Sequence, residues 1–365
     1  MAEKIKAKSA RNFVILMIIF AIISIVSIYS ASFTVGERLF KNGNYFFIRQ
    51  IIWYSIGTFL MVVFSRIDYR IYKNYINYIY GAGFFLLLMV EFFGSKTKGA
   101  VRWIKIGAFS LQPAELAKII FVIFLVVTIE KFRTCGRSDK EMFTRILVAL
   151  GVYILFILRE RDFGTCVQLT AVTFIVFFVI NLKSAYFYFM GIAGTVVGGF
   201  AIINSPHRMS RINSYISGMT GGDMGHQLKQ SVLGLGNGGL FGLGYGNGMQ
   251  KYYYLPEPHT DFIFSVIGEE GGFVMTCIIV ILFFWLCKIG ITAAIKKKDY
   301  FGKLMAFAIT VMFIVQAIIN FYVVTGLFPT KGMPMPFISF GGSALINSMI
   351  AGGILLNILK EDEKE

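Results

Sequence analysis

Ten apolar runs, each close to the length that crosses a bilayer, follow one another along this chain. A hydrocarbon layer needs roughly 20 helical residues to span it. Inside lipid every backbone N–H and C=O must be bonded within the chain, which leaves helices as the only form for such segments. The runs predict helices at about 12–31, 45–65, 75–93, 114–130, 143–158, 164–180, 185–203, 260–287, 303–325 and 339–359. Charged residues make up only 15% of the chain, where a soluble domain carries about a quarter. The expected fold class is an all-α polytopic membrane protein of about ten transmembrane helices. Residues 1–365 read as a single membrane-embedded domain, and 204–259 as a large extracytoplasmic loop between helices 7 and 8.

The net charge of +15 does not point to nucleic acid. The basic residues sit in short connections, where lipid headgroups and the orientation rule account for them. With the N-terminus inside, ten spans put both termini in the cytoplasm. Lys and Arg then divide 20 inside and 14 outside, with Lys118 within a span. The cluster Lys296-Lys297-Lys298 falls inside, and the basic start Met1 to Arg11 leads into a retained first helix. Fourteen outer cations exceed what orientation requires, and an anionic substrate would explain them. The four cysteines, Cys135, Cys166, Cys277 and Cys287, have no metal-ligand or paired spacing.

Only one connection is long. It carries a helical-looking piece around Gln227 to Leu235 and a glycine-rich run from Gly234 to Gly248. Glycine at this density permits tight turns and close backbone approach, or a flexible tether. His259-Thr260-Asp261 closes the loop and opens the eighth helix. Asp261 or Thr260 could act as an N-cap. The Asp261 carboxylate could instead take a proton from a hydroxyl nucleophile. Glu269 and Glu270 follow eight and nine residues later, roughly 12–14 Å further in along a straight helix. Intramembrane carboxylates face protein or a cavity, as structural partners or as functional groups. Glu115 and Lys118, spaced i, i+3, can pair on one helix face. Trp103, beside Arg102 and Lys105, is an interface anchor or a platform for a sugar or lipid, with the cations holding phosphate. Arg211, Lys251 and Lys331 add positive charge outside. There is no P-loop, no nucleophile elbow, and no metal-site spacing among His207, His226 and His259.

Four ordered blocks resemble the SEDS family of FtsW, RodA and SpoVE. The first is Gln250-Lys251-Tyr252-Tyr253-Tyr254-Leu255-Pro256-Glu257, with His259-Thr260-Asp261-Phe262-Ile263-Phe264 and Gly268-Glu269-Glu270. The others are Arg102-Trp103 leading to Gln112-Pro113-Ala114-Glu115 and Lys118, Asp162-Phe163-Gly164-Thr165, and Gly332-Met333-Pro334-Met335-Pro336-Phe337-Ile338-Ser339-Phe340-Gly341-Gly342-Ser343. Lys331-Gly332 and the short tails lean toward the FtsW and SpoVE branch. Three positions depart from the family pattern: Arg161 for a usual proline, Phe340 for tyrosine and Gly272 for an aliphatic residue.

The resemblance implies a ten-helix peptidoglycan glycosyltransferase at the outer face of the bacterial cytoplasmic membrane. It would polymerise lipid II, an undecaprenyl-pyrophosphate-linked disaccharide-pentapeptide, beside a class B penicillin-binding protein transpeptidase. The family's loop aspartate corresponds to Asp261, its tryptophan to Trp103, and its fourth-helix pair to Glu115 and Lys118. Expected substrate contacts are Arg102, Trp103, Glu115, Lys118, Arg211, Lys251, His259, Glu269, Lys331 and Ser339. No obligatory cofactor is legible, although a divalent cation could share the charge balance. The competing readings are a lipid II flippase, which needs a polar path across the whole span, and a scaffold for division proteins.

Overall fold

A computed structural model describes residues 2–97, 100–107, 109–222 and 224–361. The helices are α1 (Ala2–Phe40), α2 (Tyr45–Phe64), α3 (Tyr72–Phe93), α4 (Pro113–Thr134), α5 (Asp139–Arg159), α6 (Phe163–Val179), α7 (Ser184–Ile203), α8 (Pro206–Met219), α9 (His226–Asn237), α10 (Gln250–Tyr253), α11 (Ile263–Lys296), α12 (Tyr300–Val324) and α13 (Gly342–Glu361). Strands β1 (Ser95–Thr97), β2 (Ala100–Ile106) and β3 (Phe109–Leu111) form an antiparallel sheet in the order β1-β2-β3.

Each expected span falls on a long helix. Among the described residues, eight helices are long and apolar enough to cross a membrane. The other two are α6, which has 17 residues, and α4, which carries Glu115, Lys118 and Glu130. Two features of the connections were not foreseen. The segment before α4 is a small sheet rather than an irregular loop. The long connection contains α8 as well as the anticipated helix α9.

The bundle centre is built from α4, α12 and α13. Sixteen residues of α4 are buried, from Pro113 to Phe132. Lipid tails are as apolar as leucine, so helices associate there through close packing. Gly353 of α13 shows the requirement: a Cβ at that position would stand 2.6 Å from the Met61 carbonyl oxygen of α2. At the opposite extreme, α7 buries only Met190 and Ala201 against the rest of the chain.

The largest correction concerns α11. The sequence predicts a straight helix leading inward from Asp261. Gly272 instead has φ 69° and ψ −169°, which breaks the helix. The halves fold back on each other. A Cβ on Gly268 would stand 3.1 Å from Cγ2 of Thr276. The Phe321 ring lies 4.8 Å from Phe264 and 5.7 Å from Phe283, positions that a straight helix would separate by about 28 Å. Glu270 accepts a hydrogen bond from Ser30 of α1, whereas Phe283 packs on Phe20. Glu269 and Glu270 therefore lie at the end of the bundle where α1 turns into α2, not deep within it.

A break inside a membrane helix exposes carbonyls on one side and N–H groups on the other. The glycine-rich loop after α9 satisfies both. Leu243 N donates to Glu269 O and Gly244 N to Glu270 O, while Phe273 N donates to Gly239 O and Val274 N to Leu240 O. This contact needs glycine. A Cβ on Gly272 would collide with the backbone of Leu240 and Gly242, and its φ is one that side chains disfavour. Gly272→Ala is expected to lower stability by roughly 2–4 kcal/mol through strain and overpacking. Thermal unfolding in detergent would read this as a lower midpoint, and an unchanged midpoint would mean that the break is not built on this glycine.

Candidate active site

Asp261 lies in the turn before α11. The N-cap position belongs to Phe262, so neither Asp261 nor Thr260 is the residue that caps this helix. Asp261 is half-buried, and two elements hold it. The Asn320 side-chain amide of α12 donates to the Asp261 carbonyl at 2.9 Å and to the Met333 carbonyl at 2.7 Å. Gly332 lies directly against the carboxylate, since a Cβ there would stand 2.7 Å from Asp261 Oδ2. The Pro-rich segment 331–336 is thus clamped to the aspartate turn.

Cations gather around this point. Arg211 of α8 donates to the Thr330 carbonyl at 3.1 Å. Burial and the nearby Arg102 lower its pKa, and Asp261 opposes them. Lys331 lies 4.5 Å above the Phe163 ring, and Arg208 shares that ring at 5.5 Å. Burial pushes Lys331 down to about 8, with Asp162 pulling the other way. His207 is lowered chiefly by Arg211, with Arg161, Arg102 and Arg208 adding to it. The cations outnumber the nearby carboxylates Asp162 and Asp261, so an anion would relieve their mutual repulsion.

Arg102, on β2, donates to the carbonyls of Glu160 and Arg161 at 2.8 and 2.6 Å. This ties the sheet to the turn between α5 and α6. Arg161 has φ 61° there, a value closed to the proline that the family usually carries. Glu160 is buried beside this turn, and desolvation together with Asp162 pushes its pKa up to about 9. It is therefore protonated at neutral pH. Asp162 caps α6 through Thr165 N and also accepts from Gln112. Trp103 is half-buried in β2, in register with Ser95.

Beneath the cations lies a buried polar network. Lys118 pairs with Glu115 at 2.7 Å and donates to Gln316 Oε1 at 3.2 Å. Gln168 donates to the same oxygen at 3.1 Å, and Gln316 donates to the Pro334 carbonyl at 2.7 Å. Sequence reasoning missed Gln168, Gln316 and Asn320 because a search for charges passes over amides. The available signal was the i, i+4 spacing of Gln316 and Asn320 on one face of an apolar helix.

Four of the expected substrate contacts are buried and bonded within the chain. Lys251 is buried, pairs with Glu270 at 2.5 Å and donates to Ser30 Oγ and the Gly246 carbonyl. Glu269 accepts from Met249 N at 2.9 Å and from Gln250 N, so it caps α10. His259 is buried between Phe46 and Phe340, with ring centroids 4.3 and 5.4 Å away. Ser339 Oγ is buried and accepts from Met335 N at 2.7 Å, closing the turn before α13.

This is a polytopic helical membrane protein with a cation-rimmed carboxylate at one end of its bundle. The chain belongs to the FtsW/RodA/SpoVE family, described as cell cycle proteins, whose pattern it matches over residues 10–364. It is 37% identical to a probable peptidoglycan glycosyltransferase FtsW of Geobacter sp. strain M18, covering 93% of this chain and 94% of that one. It is 35% identical to stage V sporulation protein E of Bacillus subtilis strain 168, covering 94% and 95%. The fold matches the rod shape determining protein RodA of Thermus thermophilus, with a TM-score of 0.71 at 22% identity over 96% of each chain. It also matches a chain from a peptidoglycan synthase complex that coordinates polymerization and crosslinking, with a TM-score of 0.77 at 21% identity over 97% and 98%.

The Glu115–Lys118 pair is buried, so removing one partner leaves a desolvated charge. Glu115→Gln or Lys118→Met should each cost about 3–5 kcal/mol, and the double variant should recover part of that loss. A thermal-unfolding double-mutant cycle checks this, and strictly additive losses would show that the two groups act separately.

Proposed function

We propose that this chain polymerises lipid II by inverting glycosyl transfer at the extracytoplasmic face of the bacterial cytoplasmic membrane, with both termini in the cytoplasm. The observation that carries the reading is Asp261, half-buried against Gly332 and next to the Arg211 cation. The 4-hydroxyl of an incoming disaccharide attacks the anomeric carbon of a lipid-linked strand. A C–O bond forms, the bond to pyrophosphate breaks, and undecaprenyl pyrophosphate leaves with the bonding electron pair. Asp261 takes the hydroxyl proton as general base, a role that contributes roughly 10²–10⁴-fold.

Arg102, Arg211 and Lys331 balance the diphosphate charge at the rim. Trp103 offers a half-buried ring beside Arg102. Lys118 and Glu115 lie one layer below and support the segment 331–336 through Gln316. Polymerisation proceeds beside a class B penicillin-binding protein that crosslinks the strands, in keeping with the fold match to a chain of a synthase complex. A flippase reading has less support, because the polar groups concentrate at one end of the bundle. Further along α6 and α12, Thr173 and Thr310 bond only to carbonyls of their own helices.

The decisive experiment reconstitutes the protein with its transpeptidase partner in liposomes that carry labelled lipid II in the outer leaflet alone. Strands should form there, and Asp261→Asn should abolish them with the thermal midpoint unchanged. Leaflet exchange without polymer would favour transport, and full activity of Asp261→Asn would remove its assignment as base.

Lys331 adds a pH dependence. With its pKa lowered to about 8, its charge is largely present at pH 7 and largely lost at pH 9. A neutral amine no longer makes a charge-assisted bond to phosphate, so KM for lipid II should rise roughly tenfold across that interval. Lys331→Arg stays charged and should flatten the profile. A flat wild-type KM would take Lys331 out of substrate binding.

A further inference from the structure

The tip of the glycine-rich loop carries a cluster of apolar side chains that the rest of the chain leaves uncovered. Leu240 is 65% exposed and Phe241 81%. Between Lys229 and Lys251 there is no charged residue. We propose that this tip is a membrane-inserted wedge, with Leu240 and Phe241 seated among the acyl chains of the leaflet at the site end of the bundle.

Three observations support lipid as the occupant. The first is continuity with a bilayer face. Phe273 N and Val274 N donate to Gly239 O and Leu240 O, so the tip sits beside the start of the long half of α11. That half presents Phe273, Ile281 and Phe284 outward, at 62%, 63% and 70% exposure.

The second is depth. The far end of α11 is marked by Lys296, followed by Lys297 and Lys298. Twenty helical residues, about 30 Å, separate the two edges of a hydrocarbon core. Counted back from Lys296 they reach Thr276, and counted back from the exposed Lys288 they reach Gly268, so the outer edge falls between these positions. Phe273 lies within that interval, and Leu240 and Phe241 lie at the boundary, where an interfacial element buries its apolar side roughly 5–10 Å deep.

The third is polar accounting. Backbone groups that flank an inserted tip cost less beside lipid when they are bonded within the chain. Gly242 N bonds to Gly238 O, Leu243 N to Glu269 O and Gly244 N to Glu270 O. The Asn247 amide bonds to Leu243 O.

The test is nitroxide accessibility in proteoliposomes of phosphatidylethanolamine and phosphatidylglycerol. The label is carried by Phe241→Cys, and separately by Leu240→Cys, after replacement of the four native cysteines. A label at Phe284 serves as the lipid-facing control and one at Lys140 as the aqueous control. The wedge predicts that both tip labels collide with oxygen as strongly as the Phe284 label and with a water-soluble nickel chelate at least fivefold less than the Lys140 label. Nickel access equal to that at Lys140 would place the tip in water and overturn the proposal. Low access to both reagents would mean that protein covers the tip, from a second copy or a partner, and would overturn it equally. The unfolding midpoint of each labelled variant in detergent confirms that the fold is kept, and two sites guard against a local effect of either substitution.

Discussion

The fold hangs on the way a broken transmembrane helix is completed by a loop. At Gly272 the two halves of α11 each present unsatisfied backbone groups, and the segment 239–244 answers both sets at once. Without that exchange the break would leave polar groups in an apolar medium, at several kcal/mol each. The Glu270–Lys251–Ser30 cluster then fastens the returning chain to α1. The first half of α11 begins two residues after Asp261, so the contacts at the break add to those of Asn320 and Gly332 in placing that carboxylate.

The site has the opposite character. Its cations are held near one another by backbone carbonyls and an aromatic ring. Arg102 is held by the turn at 160–161, Arg211 by Thr330, and Lys331 and Arg208 by Phe163. These partners orient the cations without neutralising them. Asp162, the nearest carboxylate in the connection, is already engaged in capping α6. A rim prepared in this way keeps its attraction for an anion while limiting the conformational freedom lost on binding.

Most of the bundle was legible in the sequence because lipid imposes one rule on every span, and apolar length alone reports it. Asp261, Arg211 and Lys331 were legible as candidates because charge at the edge of an apolar run is conspicuous. What failed was any inference that needed a helix to be straight. Glu269 and Glu270 were expected along a continuous α11, and one glycine with positive φ moved them to the end of the bundle. Lys251 and His259 are buried, Lys251 on Glu270 and His259 between Phe46 and Phe340, contacts that sequence alone does not report. The sheet before α4 escaped notice because its strands are only three to seven residues long, too short for alternation to stand out. Gln316 and Asn320 were overlooked because an amide carries no charge, yet both bond the Pro-rich segment, and Asn320 also bonds the Asp261 turn.

The loose packing of α7 bears on how this sequence can change over evolutionary time. Almost all of its surface is left uncovered by the rest of the chain, and where such a surface faces lipid, lipid discriminates poorly among apolar side chains of different shape. Substitutions that exchange one such residue for another should therefore accumulate along α7 with little selective penalty. In α4 or α13, where nearly every face touches another helix, the same exchange would meet a neighbour that cannot move. Two helices with similar hydropathy would then record very different histories.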